Sequence, residues 1–197
     1  MLICITNRKL CKDDFLSRIN ELAKGKPDAI VLREKDLSLD EYEALATGVK
    51  KICLINEVPL IINSNISVAK KLELSKIHLS MSDLRVYKNQ LSEFTEVGAS
   101  IHSLLEAKEA QNLGASYLIA GHIFETDCKR RMTSRGIPFL KEICESVSIP
   151  VFAIGGITKD KVETVLSVGA KGVCIMSEAM TSSNPSTLKK SFRFYNT

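Results

Sequence analysis

ASIHSLLEAKEAQNLGASYLIAGH, residues 99–122, spells out a strand, a helix and a second strand. Ala99–His102 is a short apolar run of strand length. Across Leu104–Leu113, the residues Leu105, Ala107, Ala110 and Leu113 recur near a 3.6 period, with good helix formers between them. Gly114 marks the end of that helix, and Tyr117–His122 is again a short apolar run. Strands separated by helix-length crossovers build a parallel sheet.

The same alternation extends outward over the 197 residues. Strands are expected at Leu2–Thr6, Ala29–Arg33, Leu60–Asn63, Lys76–Leu79, Ala99–His102, Tyr117–His122, Val151–Ile154 and Gly172–Met176. Helices are expected at Asp13–Ala23, Ser38–Ile55, Ile66–Leu72, weakly at Asp83–Leu91, then at Leu104–Leu113, Phe139–Val147, Lys159–Val168 and Pro185–Phe194. Pro27, Pro59 and Pro150 precede three strands, and Gly98-Ala99, Gly114-Ala115 and Gly169-Ala170 precede three others; both chemistries stop a helix and start an extended segment. Eight strands alternating with helices predict an α/β fold, a single (β/α)8 TIM barrel with short loops spanning residues 1–197.

Composition agrees with a folded chain: 45% hydrophobic and 25% charged residues, with a formal charge of +4 from 27 basic and 23 acidic side chains. The charges are dispersed, so no nucleic-acid partner is expected. No apolar run approaches the length of a membrane helix, and the first apolar run is too short for a secretory core, which gives the expectation of a cytoplasmic protein without membrane contact. Cys4, Cys53 and Cys174 lie in apolar runs and no pair has CxxC spacing, so they read as reduced structural thiols.

The residues that follow the strands differ in kind from those that precede them. Arg33, Glu34 and Lys35 follow the second strand, Asn63-Ser64 the third, and Ser80 to Asp83 the fourth; His102, His122, Gly155-Gly156 and Ser177 follow the rest. A barrel enzyme builds its site at these carboxyl ends. Arg33 and Lys35 sit at alternate positions and suit an anionic substrate, with Glu34 turned toward the outside. AIGGIT, 153–158, and IMS, 175–177, suit a phosphate held by Gly155, Gly156, Met176 and Ser177, the alternative for the glycines being a tight turn. His78 reads as a hydrogen-bonded strand residue and His102 as a substrate contact or a loop partner. His122 opens the polar stretch with Thr126, Lys129 and Arg135, and an imidazole there suits proton transfer as well as a structural role. Asp83 reads as the cap of a short helix rather than a magnesium carboxylate.

LREK, Asn63, HLxxxD, SIHSLLEA, GHIFETDCK, AIGGIT and IMS, in this order, resemble the thiamine phosphate synthase superfamily over almost the whole chain. Synthases of that superfamily carry Gln before LREK, an Asn-Asp pair after the third strand, Gly-Gln after His-Leu and a GPxFPTxTK loop. Val31, Ser64, Ser80-Met81 and Gly121–Lys129 stand at those positions here. GHIFETDCK resembles the thiazole tautomerase (TenI) branch instead, whose catalytic histidine falls on His122.

The resemblance therefore implies an isomerase of thiamine biosynthesis. It would aromatise a carboxythiazole-ylidene ethyl phosphate by proton transfer at His122, with no cofactor and no metal. Arg33, Lys35, Asn63, Ser100, His102, Thr126 and Lys129 are then the substrate-binding candidates. The alternative is thiamine phosphate synthase, joining hydroxymethylpyrimidine pyrophosphate to thiazole phosphate with magnesium; a second is a non-enzymatic regulatory protein. The expected partner is the small-molecule thiazole phosphate, and a homodimer is an option.

Overall fold

The structure is a computed structural model that describes residues 1–126 and 133–192. Eight strands are present among these residues: β1 (Leu2–Ile5), β2 (Ala29–Leu32), β3 (Leu60–Asn63), β4 (Lys76–Ser80), β5 (Glu96–Ile101), β6 (Tyr117–Gly121), β7 (Val151–Ile154) and β8 (Gly172–Ile175). They follow chain order in a closed barrel. The pairings are parallel, for example Ile5↔Val31, Val31↔Ile61, Gly98↔Tyr117, Ala120↔Ala153 and Phe152↔Gly172. The helices are α1 (Phe15–Lys24), α2 (Leu39–Ile55), α3 (Ile66–Lys71), α4 (Met81–Tyr87), α5 (Leu104–Asn112), α6 (Gly136–Ser146), α7 (Val162–Ser167), α8 (Ser177–Thr181) and α9 (Leu188–Ser191). The expected α/β barrel is thus observed.

The chain divides into two compact units, one formed by Met1–Ile77 with Ile175–Thr197 and the other by His78–Cys174. In the first, β1 to β3 are buried along their whole length. Ser38 caps α2 through a capping box with Glu41, as its position before an acidic first turn favours. Arg18 of α1 is buried and bonds to Asp13 and to the carbonyl of Ser182, which ties the helix to the segment after α8. In the second unit, Ala107 and Ala110 form the buried face of α5, whereas Leu105 is exposed. Helix α5 therefore faces inward on its alanines, and the apolar set expected from the sequence included one residue from the wrong face.

Other boundaries moved for identifiable reasons. Strand β5 starts at Glu96, three residues before the expected Ala99, because it runs straight through Gly98. That glycine serves packing rather than chain reversal: a Cβ on it would stand 2.1 Å from Tyr117 Cζ. The helix after β4 starts at Met81, and Ser80, not Asp83, is its cap; Ser80 Oγ accepts from the Asp83 backbone N–H at 3.2 Å. The expected helix Pro185–Phe194 is a 3-10 turn, Pro185–Thr187, followed by the short α9, and α8 precedes both. Among the described residues no helix is long and apolar enough to cross a membrane.

Cys4, Cys53 and Cys174 are buried free thiols, as their apolar neighbours imply. Burial pushes the thiols of Cys4 and Cys53 up to about 12.

Candidate active site

The ends of β1 and β2 sort their charges into engaged and available groups. Glu34, two residues beyond β2, is 4% exposed and so is not turned toward the outside as expected. Its carboxylate accepts from Thr6 Oγ1 at 2.6 Å and from the Arg8 backbone N–H at 3.0 Å to each oxygen. Thr6 Oγ1 in turn accepts from the Arg33 backbone N–H at 2.9 Å, so Glu34 and Thr6 together fix where Arg33 leaves the strand. Asp36 is held by Arg8, with its Nη2 at 2.9 Å, and by Lys9 at 3.1 Å. Lys9 first, and then Arg8, hold its carboxyl below the ordinary carboxylate range.

The nearest acids are thereby engaged by Thr6, Arg8 and Lys9. Among the described residues no carboxylate pairs with Arg33 or Lys35; Arg33 is half-buried and Lys35 is exposed. Cations that no carboxylate neutralises are suited to an anionic ligand.

The register of β2 on β3, Leu32↔Ile62, puts Arg33 and Asn63 at neighbouring strand ends. Asn63 is buried. Tyr42 of α2 secures both ends: its hydroxyl donates to the Leu32 carbonyl at 2.6 Å and receives hydrogen bonds from the Asn63 backbone and the Asn65 side chain. Ser64 follows in the left-handed region, at φ 64°.

In the second unit His102 and His122 take different positions. His102 is exposed; its Nδ1 lies 2.7 Å from the carbonyl oxygen of Gly121. A carbonyl can only accept, so Nδ1 carries the proton, and in the neutral ring Nε2 keeps its lone pair. His122 is buried at the end of β6, and its carbonyl accepts from the Arg135 N–H at 2.9 Å. Thr126 is half-buried, while Lys129 lies outside the described residues. Ser100 accompanies His78 and Tyr117 in a hydrogen-bonded group, with His78 Nε2 at 2.8 Å from Ser100 Oγ. His78 is thus the hydrogen-bonded strand residue that the sequence suggests.

Gly155 and Gly156 have left-handed backbones, at φ 101° and 62°. The segment after β6 packs on them closely. A Cβ on Gly155 would be 2.3 Å from His122 Cβ, and one on Gly156 would be 2.2 Å from the Glu125 carbonyl oxygen. Their carbonyls accept from Phe124 N–H at 3.0 Å and Lys161 Nζ at 3.0 Å. The turn and this close approach already require glycine at both positions, without any ligand. Met176 and Ser177 belong to the first unit, where Ser177 opens the five-residue α8.

Three residues of this arrangement were not singled out from the sequence: Thr6, Tyr42 and Tyr117. Each acts through a partner at least ten positions away, and no local pattern marks it.

Magnesium accompanies the synthase alternative, and the donor set here does not fit a protein-built site for it. No group of three or more His, Cys, Asp or Glu that could hold a metal occurs among the described residues. Glu34 and Asp36 are engaged, and Ser64 offers a hydroxyl where a hard cation prefers a carboxylate.

The comparisons place this geometry in a family. A family model described as thiamine monophosphate synthase matches residues 2–179. The thiamine-phosphate synthase of Fusobacterium nucleatum is 38% identical over 176 residues, 88% of this chain and 85% of that protein. That of Methanobrevibacter smithii is 35% identical over 186 residues, 93% of this chain and 89% of that protein. The solved thiamine phosphate pyrophosphorylase of Pyrococcus furiosus superposes with a TM-score of 0.86 at 31% identity, covering 98% of this chain and 93% of that one.

These relatives overturn the tautomerase expectation. The family is as the motifs suggested, but the relatives carry the synthase name, and the role of His122 as the acid-base of an isomerase falls with that expectation. It rested on the nine residues GHIFETDCK, whereas the similarity to the synthases runs along nearly the whole chain.

Proposed function

The chain belongs to the thiamine monophosphate synthase family, and from this premise we propose that it is a thiamine phosphate synthase. It would join hydroxymethylpyrimidine pyrophosphate to thiazole phosphate. One observation carries the proposal into this chain's own residues: among the described residues no carboxylate pairs with Arg33 or Lys35, while Glu34 and Asp36 beside them are engaged.

The reaction breaks the bond between the pyrimidine methylene carbon and the bridging diphosphate oxygen. The thiazole nitrogen lone pair forms the new bond to that carbon, and the electrons of the broken bond leave on pyrophosphate. Negative charge grows on the leaving group, so cations placed there before the reaction stabilise the transition state more than the bound substrate. Arg33 and Lys35 are assigned this task. The planar guanidinium of Arg33 suits a bidentate grip on a phosphate, and the Lys35 ammonium adds a mobile point charge. Glu34 and Thr6 fix the backbone from which Arg33 projects, and Asp36 keeps Arg8 and Lys9 occupied.

Incubating the purified protein with both substrates and magnesium tests the proposal. Thiamine phosphate and pyrophosphate should appear in equal amounts. Absence of both under conditions where the folded protein is intact would overturn it.

A further inference from the structure

The strand ends that carry Arg33 and Asn63 meet at one side chain from an outer helix. Tyr42 lies in the first turn of α2, and the capping box of Ser38 and Glu41 fixes where that helix begins. The Tyr42 N–H bonds to the Ser38 carbonyl at 2.9 Å, so the phenol leaves the helix at a set height. It reaches back ten residues to the end of β2 and closes the loop that bears Arg33 and Lys35.

A tyrosine hydroxyl has one proton and two lone pairs, and all three are used here. The proton goes to the Leu32 carbonyl at 2.6 Å, and the lone pairs receive the Asn63 backbone N–H and the Asn65 side chain. Tyr42 is 1% exposed. Burial pushes its hydroxyl well above the ordinary range, so the proton stays on the oxygen as a donor.

The consequence falls on the peptide between Leu32 and Arg33. Tyr42 holds its carbonyl from α2, and Thr6 Oγ1 at the end of β1 accepts its N–H at 2.9 Å. A planar peptide gripped at both polar atoms cannot turn without breaking one of the two bonds. On the far side of Arg33, the Glu34 carboxylate is anchored by Thr6 Oγ1 and the Arg8 N–H. The Arg33 backbone is therefore fixed from both sides, and its side-chain torsions are what is left to adapt to a ligand. A guanidinium carried on a fixed backbone loses less freedom on binding an anion than one on a mobile loop.

We infer that Tyr42 is a positioning residue for the diphosphate: it clasps the loop after β2 and so sets where Arg33 meets the ligand. It acts through the Leu32–Arg33 peptide and touches no ligand itself. The identity of the ligand rests on the proposed synthase function, whereas the clasp on Arg33 does not.

Tyr42→Phe removes the hydroxyl and keeps the ring. Hydrogen exchange read residue by residue by NMR tests the clasp. The Arg33 amide should exchange at least about 10-fold faster in the variant, while the Ile30 amide, bonded to the Pro59 carbonyl in the same strand, stays within about threefold. An unchanged Arg33 rate, or equal acceleration at both sites, would overturn the inference. Calorimetric titration with inorganic pyrophosphate tests the consequence. Tyr42→Phe should weaken binding about 5- to 10-fold, and in an Arg33→Gln background it should cost less than about twofold, since no guanidinium is then left to place. Equal losses in the two backgrounds would make Tyr42 purely structural and contradict the inference. Where Tyr42→Phe does not fold, Thr6→Val loosens the same peptide from its other side and is held to the same outcomes. If the wild type binds no pyrophosphate, the ligand assigned here falls with the diphosphate reading, and the exchange rate at Arg33 still decides the clasp.

Discussion

The carboxyl ends of β1 and β2 and the interior of β4 to β6 handle polar groups in opposite ways. At β1 and β2 the groups are charged, and the fold sorts them: the acids are engaged by Thr6, Arg8 and Lys9, and Arg33 and Lys35 have no carboxylate partner among the described residues. At β4 to β6, Ser100 and Tyr117 are hydrogen-bonded to His78 between them. The first arrangement gathers charge at strand ends; the second ties three strands to one another by hydrogen bonds. Substitutions should separate the two.

The largest expected effect is on the charged side. Arg33→Gln should lower kcat/KM by about 100-fold, since two charge-assisted hydrogen bonds to the diphosphate are worth about 3 kcal/mol together. A steady-state assay of pyrophosphate release checks this, and a loss below threefold would mean that the Arg33 guanidinium has no part in the reaction. Next comes Gly98→Ala on the neutral side. Its Cβ would collide with Tyr117 and His78, and destabilisation of about 2 to 3 kcal/mol is expected from overpacking. Urea unfolding measures it, and an unchanged midpoint would show that the two rings are not packed against Gly98.

Glu34→Gln sharpens the comparison from the other direction. One oxygen still accepts while the other becomes a donor facing donors, so a loss of about 1 to 2 kcal/mol in stability is expected. KM for the diphosphate substrate should also rise, because the Arg33 backbone loosens. A stability loss with KM unchanged would separate Glu34 from the placement of Arg33.

A smaller effect concerns the thiols. Cys4 and Cys53 have folded pKa values of about 12 against an ordinary value of 9.0. Their contribution to stability is therefore fully present below pH 9 and declines as pH rises from 9 toward 12, since the unfolded chain then loses protons that the folded one keeps. Iodoacetamide at pH 8 followed by mass spectrometry should leave both unlabelled. Rapid labelling of either would show that the apolar sheath around these strands opens.

Much of the fold was legible because the signals are local: a 3.6 period, short apolar runs, and glycine or proline between them. The start of β5 was not, since Gly98 looks like a helix stop and its true reason lies on β4 and β6. Helix α8 has five residues, too few to show a period. Arg33, Lys35, Asn63 and Ser100 were legible as polar residues at or just beyond strand ends. The burial of Glu34 was not, because Thr6 and Arg8 lie 28 and 26 residues away in the sequence. The phosphate assignment to Gly155 and Gly156 illustrates a different limit. Glycine is required there by the neighbouring segment of the chain itself, so its presence carries less information about a ligand than the sequence suggested. The tautomerase expectation weighed one loop more heavily than the rest of the chain.

Under the proposed function, charge sorting at the end of β2 leaves Arg33 and Lys35 to hold a diphosphate. Calorimetric titration with inorganic pyrophosphate tests it most directly, on the wild-type protein and on an Arg33→Gln, Lys35→Gln double variant of equal stability. One binding event that weakens with salt in the wild type, and falls at least 30-fold in affinity in the variant, is the predicted result. Equal affinity in both proteins, or binding to neither, would contradict it.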